Sequence, residues 1–147
     1  MNLSKKELSV LIEIIYSILF ALLFLPYFYE NRFTSFDFID NIFLWLVWGK
    51  IGQMIIFSAI YYSIAYTLLH IFNKEKIIKD ERDDMINSKS YKLGFLLYEL
   101  SLFVFIGILL SNSSFQNSGF IIFFILLLLL SVIFIKSSYQ LYLYRKS

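Results

Sequence analysis

Four long apolar runs constrain the fold of this chain more than any other feature of its sequence. A helix that crosses a bilayer needs about 20 consecutive, mostly apolar residues, and four stretches of the 147-residue chain reach that length. Backbone polar groups find no water within lipid, so each stretch is predicted to be helical. We therefore predict an all-α membrane protein, with a bundle of four transmembrane helices forming one domain over 1–147. The predicted spans are about 8–29, 51–72, 91–111 and 119–138.

Composition agrees with the membrane class and excludes several kinds of site. Only 16% of the residues are charged, whereas soluble domains average about 25%. The chain has no Cys, so it can form no disulfide, thiolate metal site or thiol nucleophile. With one His and no phosphate-binding or hydrolase motif, we expect no metal, no cofactor and no catalytic residue. A nucleic-acid partner is not expected either.

The basic residues predict the orientation. Two precede the first span, six lie between the second and third, and three lie at the end of the fourth, which leaves two of the 13 for the other side. Because Lys and Arg are retained in the cytoplasm, both termini and the charged segment 73–90 are predicted to be cytoplasmic. The bases on that side are Lys5, Lys6, Lys74, Lys76, Lys79, Arg82, Lys89, Lys92, Lys136, Arg145 and Lys146.

The region before the second span allows two interpretations. Apolar residues of 38–50 recur at helical spacing, and Gly49 and Gly52 then interrupt the pattern. We expect a short interfacial helix on the outer surface, followed by the second span. The alternative is one long tilted helix that starts at about Phe38. Pro26, near the outer end of the first span, is expected to kink that helix or help end it.

Two acids and one histidine fall within the predicted spans, namely Glu13, Glu99 and His70. Such residues cost roughly 2.5–3.5 kcal/mol on insertion scales, so each is a candidate functional residue. Glu99 lies eight residues beyond Tyr91, or about 12 Å along a helix.

Each of these residues belongs to a polar stripe at helical spacing. The economical packing turns the three stripes toward one another and predicts an intramembrane polar cluster. Its functions are either hydrogen-bonded packing or proton or cation coupling. The stripe residues are Ser9, Glu13, Tyr16 and Ser17 in the first span, Tyr62, Ser63, Tyr66, Thr67 and His70 in the second, and the line from Glu81 to Glu99 in the third.

The charged segment before the third span is predicted to begin a helix. Asp80 is a plausible N-cap, and acidic residues in the first turn favour the positive end of the helix dipole. The segment is then either a well-capped cytoplasmic extension of the third span or a contact surface. The residues of this cytoplasmic motif are Asp80, Glu81, Arg82, Asp83, Asp84, Ser88, Lys89, Tyr91 and Lys92.

The stretch "KDERDDMINSKSYKLGF" resembles a motif of small four-span bacterial membrane proteins of unknown function. Their pattern is Asp-Glu-Arg-Asp, an apolar residue, then Lys-Ser/Ala-Tyr/Asn-Arg/Lys, between the second and third spans. The resemblance covers residues 80–92, with Asp84 as a minor departure. It implies a protein of the bacterial cytoplasmic membrane, sometimes a companion of transcription regulators, and it brings no activity. The matching residues are Asp80, Glu81, Arg82, Asp83, Ile86, Lys89, Ser90, Tyr91 and Lys92.

These features favour a non-enzymatic accessory or regulatory membrane protein. The charged segment would then bind a protein partner or a second copy of the chain. One alternative is an oligomeric ion- or proton-coupled transporter or channel subunit that uses Glu13, His70 and Glu99. Another is an immunity-type protective protein. A lipid-directed enzyme that uses Glu99 or the acids of 80–84 is the least favoured.

Overall fold

The computed structural model describes residues 4–33, 41–72, 81–111 and 113–146. These residues form four long helices and one short 3₁₀ helix, with no strand among them. Each of the four long helices is long and apolar enough to cross a membrane, which confirms the prediction of an all-helical fold with four such helices. The helices are α1 (Lys5–Glu30), α2 (Asn41–Phe72), α3 (Glu81–Ser111) and α4 (Ser118–Lys146), and the 3₁₀ helix is Ser113–Gln116.

Helix α1 begins at a capping box and continues past its proline. The Ser4 hydroxyl accepts from the Glu7 amide at 3.2 Å, and the Glu7 carboxylate accepts from the Ser4 amide at 2.8 Å. These two bonds satisfy amides that have no partner within the helix. Pro26 does not end the helix, which runs to Glu30. Asn31 closes it by donating its side-chain amide to the Tyr27 carbonyl at 2.8 Å.

Helix α2 is continuous from Asn41 to Phe72. The separate interfacial helix predicted over 38–50 is therefore not confirmed, and residues 34–40 lie outside the described residues. Gly49 and Gly52 stay within the helix, with no atom within 4 Å of the position a Cβ would take. A mid-helix Gly costs up to about 1 kcal/mol relative to Ala, but in lipid the backbone has no better hydrogen-bonding alternative than the helix.

Helix α3 joins the charged segment to the third span without a break. It begins at Glu81, and Glu81, Asp83 and Asp84 occupy its first turn, where the helix dipole favours negative charge. The predicted N-cap Asp80 lies outside the described residues. A helical continuation of the third span is therefore observed, while the cytoplasmic location of its first turns remains a prediction.

The four helices pack in the order α2, α1, α4, α3. Helix α4 packs along both α1 and α3, whereas α2 contacts only α1 among the described helices. Aromatic rings of α1 and α2 form their joint surface, and Phe20 and Phe24 pack with Leu130 of α4 in the core. The starts of α1 and α3 and the ends of α2 and α4 lie at one end of the bundle, which we name the charged end.

Small residues allow α3 and α4 to approach closely. Ser90 of α3 and Ser137 of α4 are fully buried, and Gly94 of α3 is buried beside them. A Cβ at Gly94 would lie 3.3 Å from Cγ of Lys136. Small residues commonly mediate close helix contacts within membranes, and here they position Lys136 against α3.

Candidate functional site

Glu13 is the central acid of the polar contacts between α1 and α4. Its Oε2 atom accepts from Nζ of Lys136 at 3.0 Å and from the Ser137 hydroxyl at 2.7 Å. Both partners come from α4, where Lys136 lies four residues after the buried Val132 and Ser137 lies seven residues after the buried Leu130, on the same helix face. Both side chains of this ion pair are partly buried, and charges attract more strongly there than in bulk water. Glu13 is therefore fixed against α4.

Further polar contacts tie α1, α3 and α4 together toward the charged end. Lys6 of α1 forms a salt bridge with Asp83 of α3. Gln140 of α4 donates to the Asn87 side chain of α3 at 2.7 Å. The Arg82 guanidinium donates to the Tyr144 carbonyl at 3.4 Å. These contacts make the beginning of α3 part of the bundle.

A Glu7–Arg145 ion pair adds a weaker link between α1 and α4 at this end. The Arg145 Nε atom lies 3.8 Å from Oε1 of Glu7, and about half of the Arg145 side chain is exposed. Exposed pairs of this kind contribute about 0–1 kcal/mol. This pair therefore adds charge to the charged end more than it adds stability.

A cleft of about 260 Å³ opens at the charged end beside these contacts. We name it the polar cleft. Lys5, Lys6 and Glu13 line it from α1, and Tyr66 and His70 line it from α2. Tyr144 contributes from α4. The cleft exists because α2 packs against α1 alone and leaves a space toward α3 and α4.

The predicted intramembrane cluster is only partly brought together. Glu13, Tyr66 and His70 line the polar cleft. Tyr16 lies deeper, where its hydroxyl bonds the Ser58 hydroxyl at 2.7 Å within the aromatic surface between α1 and α2. Glu99 is exposed on α3 and does not line the cleft. The predicted arrangement had all three stripes facing one another. In the structure, the stripe of α3 that ends at Glu99 does not face the other two.

The reason for this difference is the phase of α3. Its buried residues include Ile86, Ser90 and Gly94, so the opposite face carries the line from Glu81 to Glu99. That polar line is continuous along the helix, as its spacing predicts, but it faces away from α4. Small residues, rather than the ionisable ones, direct α3 into the bundle.

The residues of the charged motif divide between two faces of α3. Asp83 contacts α1, and Arg82 reaches α4 although its side chain is exposed. Tyr91 is exposed, with the Lys136 ammonium 5.0 Å from its ring centroid. The remaining described members of the motif are exposed. They are Glu81, Asp84, Ser88, Lys89 and Lys92.

Sequence reasoning missed the polar stripe of α4. Ser137, Gln140 and Tyr144 follow one another at i, i+3 and i+7, which places them on one helix face. From sequence, Lys136 indicates only the orientation of the chain, whereas in the structure it is the partner of Glu13. The helical spacing of this fourth stripe is the sequence signal that indicates a contact between α4 and Glu13.

The chemistry of the site is that of charged and hydroxyl groups held at a helix-bundle end. Among the described residues, no three His, Asp or Glu side chains come close enough to hold a metal ion. The arrangement can bind a charged group in the polar cleft and present charges on the outer face of α3.

In comparisons with known proteins, no family model, curated protein or solved structure matches this chain. The likeness of residues 80–92 to the motif of four-span bacterial membrane proteins therefore stays a prediction.

Proposed function

We propose that this chain is a non-enzymatic accessory protein of the membrane that docks a partner protein on the outer face of the first turns of α3. We name this face the docking face. The observation that carries the proposal is the division of the charged motif between two faces. Asp83 and Ile86 hold α3 in the bundle, while a row of charged residues on the other face remains exposed. The docking face comprises Glu81, Asp84, Ser88, Lys89 and Lys92.

Helix stabilisation does not account for the whole charge pattern of the docking face. Acids and bases at i and i+4 stabilise helices, but Glu81 is followed at that spacing by Met85, and Asp84 by Ser88. Instead, the two acids are three residues apart and the two bases, Lys89 and Lys92, are three residues apart. The acids suit the helix dipole, whereas the bases do not gain from it.

This pattern fits a partner of complementary charge. The acidic and basic pairs are centred about eight residues apart, or about 12 Å along the helix. A partner surface with bases opposite Glu81 and Asp84, and acids opposite Lys89 and Lys92, would bind in one register. Electrostatic complementarity of this kind fixes the partner and its orientation. The bias of the basic residues predicts that the docking face lies on the cytoplasmic side.

The alternatives draw different support from the structure. Ion or proton coupling needs Glu13, His70 and Glu99 along one path, but Glu99 lies on the exposed side of α3, away from the polar cleft. An immunity-type protein would use the same docking face, and its captured partner would be a toxin. The identity of the partner therefore separates the accessory and protective roles.

Site-specific photo-crosslinking tests the docking proposal in native membranes. A photoreactive phenylalanine derivative at Ser88 is expected to crosslink a second protein, because Ser88 is exposed. The same group at Asn87 is the matched control, since Asn87 contacts Gln140 of α4. Charge reversal by Asp84→Lys with Lys89→Glu should reduce the Ser88 crosslink about tenfold or more, as a loss of 1.4 kcal/mol would.

Lys146→Glu provides a charge-reversal control outside the docking face, since Lys146 is exposed at the end of α4. It is expected to leave the crosslink unchanged. The proposal would be contradicted if neither position formed a crosslink or if both formed it equally. It would also be contradicted if charge reversal at Asp84 and Lys89 left the crosslink unchanged. A product formed with a second copy of the chain would identify self-association as the docking event.

A further inference from the structure

We infer that the polar cleft binds the headgroup of an anionic phospholipid. This inference is independent of the docking face, because the two surfaces share no residue. Lys5 and Lys6 line the cleft from the first turn of α1, and His70 lines it from the last turn of α2. The hydroxyls of Tyr66 and Tyr144 add groups that can donate hydrogen bonds to phosphate oxygens.

Charge around the cleft favours an anion. Lys5 is only 7% exposed, so its charge is held within the cleft wall instead of extending into bulk solvent. Glu13 is the acid that lines the cleft, and Lys136 and Ser137 already bond its Oε2 atom. Two lysines, Lys5 and Lys6, line the cleft against this one acid. Lys6 also forms the salt bridge with Asp83.

The position of the cleft favours a lipid over a soluble anion. Helix α2 contacts α1 but neither α3 nor α4 in the described part of the chain, so the cleft is open toward the side of the bundle. Val10 and Leu69 give its wall an apolar part beside the charged mouth. Its volume of about 260 Å³ suits one headgroup, while the acyl chains would remain in the bilayer. Basic pockets between helices at the cytoplasmic side are typical sites for anionic headgroups.

Native mass spectrometry of the full chain in mild detergent tests this inference. Phosphatidylglycerol and phosphatidylcholine with the same acyl chains would be titrated separately. We expect the first phosphatidylglycerol to bind at least five- to tenfold more tightly than phosphatidylcholine, since the anionic headgroup gains from nearby Lys residues. The Lys5→Gln variant should lose most of this preference.

Two further variants keep the test informative if Lys5→Gln folds poorly. His70→Gln changes an exposed side chain at the cleft edge and should weaken phosphatidylglycerol binding about threefold or more. Lys146→Gln removes an exposed base outside the cleft and should have no effect. Inorganic phosphate is the competitor that distinguishes the source of the anion. Displacement by millimolar phosphate would identify a free-anion site, which would overturn the assignment to a lipid.

Equal binding of the two lipids would overturn the inference. So would a preference for phosphatidylglycerol that is unchanged in both the Lys5 and the His70 variants. Failure here would leave the photo-crosslinking result at Ser88 unaffected, and failure of the docking proposal would leave this binding unaffected.

Discussion

Replacing Lys136 with Met is expected to lower the free energy of unfolding by about 2–3 kcal/mol. Met keeps an unbranched aliphatic stem of similar length beside Gly94, so the main change is loss of the charge that faces Glu13. Removing one partner of a buried ion pair costs about 3–5 kcal/mol, because the other charge is left uncompensated. The Glu13 side chain keeps 28% exposure, which reduces the penalty below that range.

A double-variant cycle measures the same interaction directly. Glu13→Gln combined with Lys136→Met should regain more than half of the stability that Lys136→Met loses, since no unpaired charge then remains. Lys146→Met is the matched control, because Lys146 is an exposed base of the same helix. Reversible unfolding in mixed micelles provides the readout. A Lys136→Met protein within about 0.5 kcal/mol of the wild type, or a double variant as unstable as the single one, would contradict this account.

Replacing Gly94 with Leu is expected to lower the free energy of unfolding by about 2–3 kcal/mol by separating α3 from α4. A Cβ alone would lie 3.3 Å from Cγ of Lys136, so the remaining Leu atoms would have to displace that side chain. Inserting extra carbon atoms into a packed interface typically costs about 1–3 kcal/mol. Disturbing Lys136 should also weaken its bond to Glu13, which places the effect at the upper end of that range.

Gly107→Leu is the control for this substitution. Gly107 lies in the same helix, with no atom within 4 Å of its Cβ position. The two variants gain the same side chain, so thermal unfolding in one detergent compares them directly. Gly107→Leu is expected to unfold within about 0.5 kcal/mol of the wild type. Equal destabilisation by both substitutions would show that the effect is not one of α3–α4 packing.

The fold was largely predictable because the apolar runs and the demands of lipid allow few alternatives. Helical spans follow from the need to satisfy the backbone internally. The boundaries of α2 were not predictable in the same way, since Gly49 and Gly52 resemble a break in sequence. The structure keeps both in one helix. Pro26 similarly ends no helix, because α1 continues to Glu30.

The candidate site was less predictable because helix phase depends on packing. The stripes that contain Glu13 and His70 meet at the polar cleft, but the stripe ending at Glu99 faces outward. Ionisable residues suggested an inward face for α3, whereas Ser90 and Gly94 determine that face in the structure. The sequence shows which residues share a face, and the neighbouring helix decides where that face points.

The docking proposal depends on one feature, namely the orientation of the charged end. A cytoplasmic partner can reach Glu81 and Lys92 only if α3 begins on the cytoplasmic side. The polar cleft must open at the same leaflet, because α1 begins beside α3 through the Lys6–Asp83 salt bridge. The orientation of the bundle therefore decides whether a cytoplasmic partner can reach the docking face.

Cysteine accessibility in intact cells tests this orientation most directly. The chain has no Cys, so single-Cys variants need no background substitutions. Lys146→Cys lies at the charged end and Gln116→Cys lies between α3 and α4 at the other end, and both positions are exposed. We expect a membrane-impermeant maleimide to label Gln116→Cys in intact cells and Lys146→Cys only after permeabilisation. Labelling of Lys146→Cys in intact cells, with Gln116→Cys protected, would contradict the orientation and the docking proposal that depends on it.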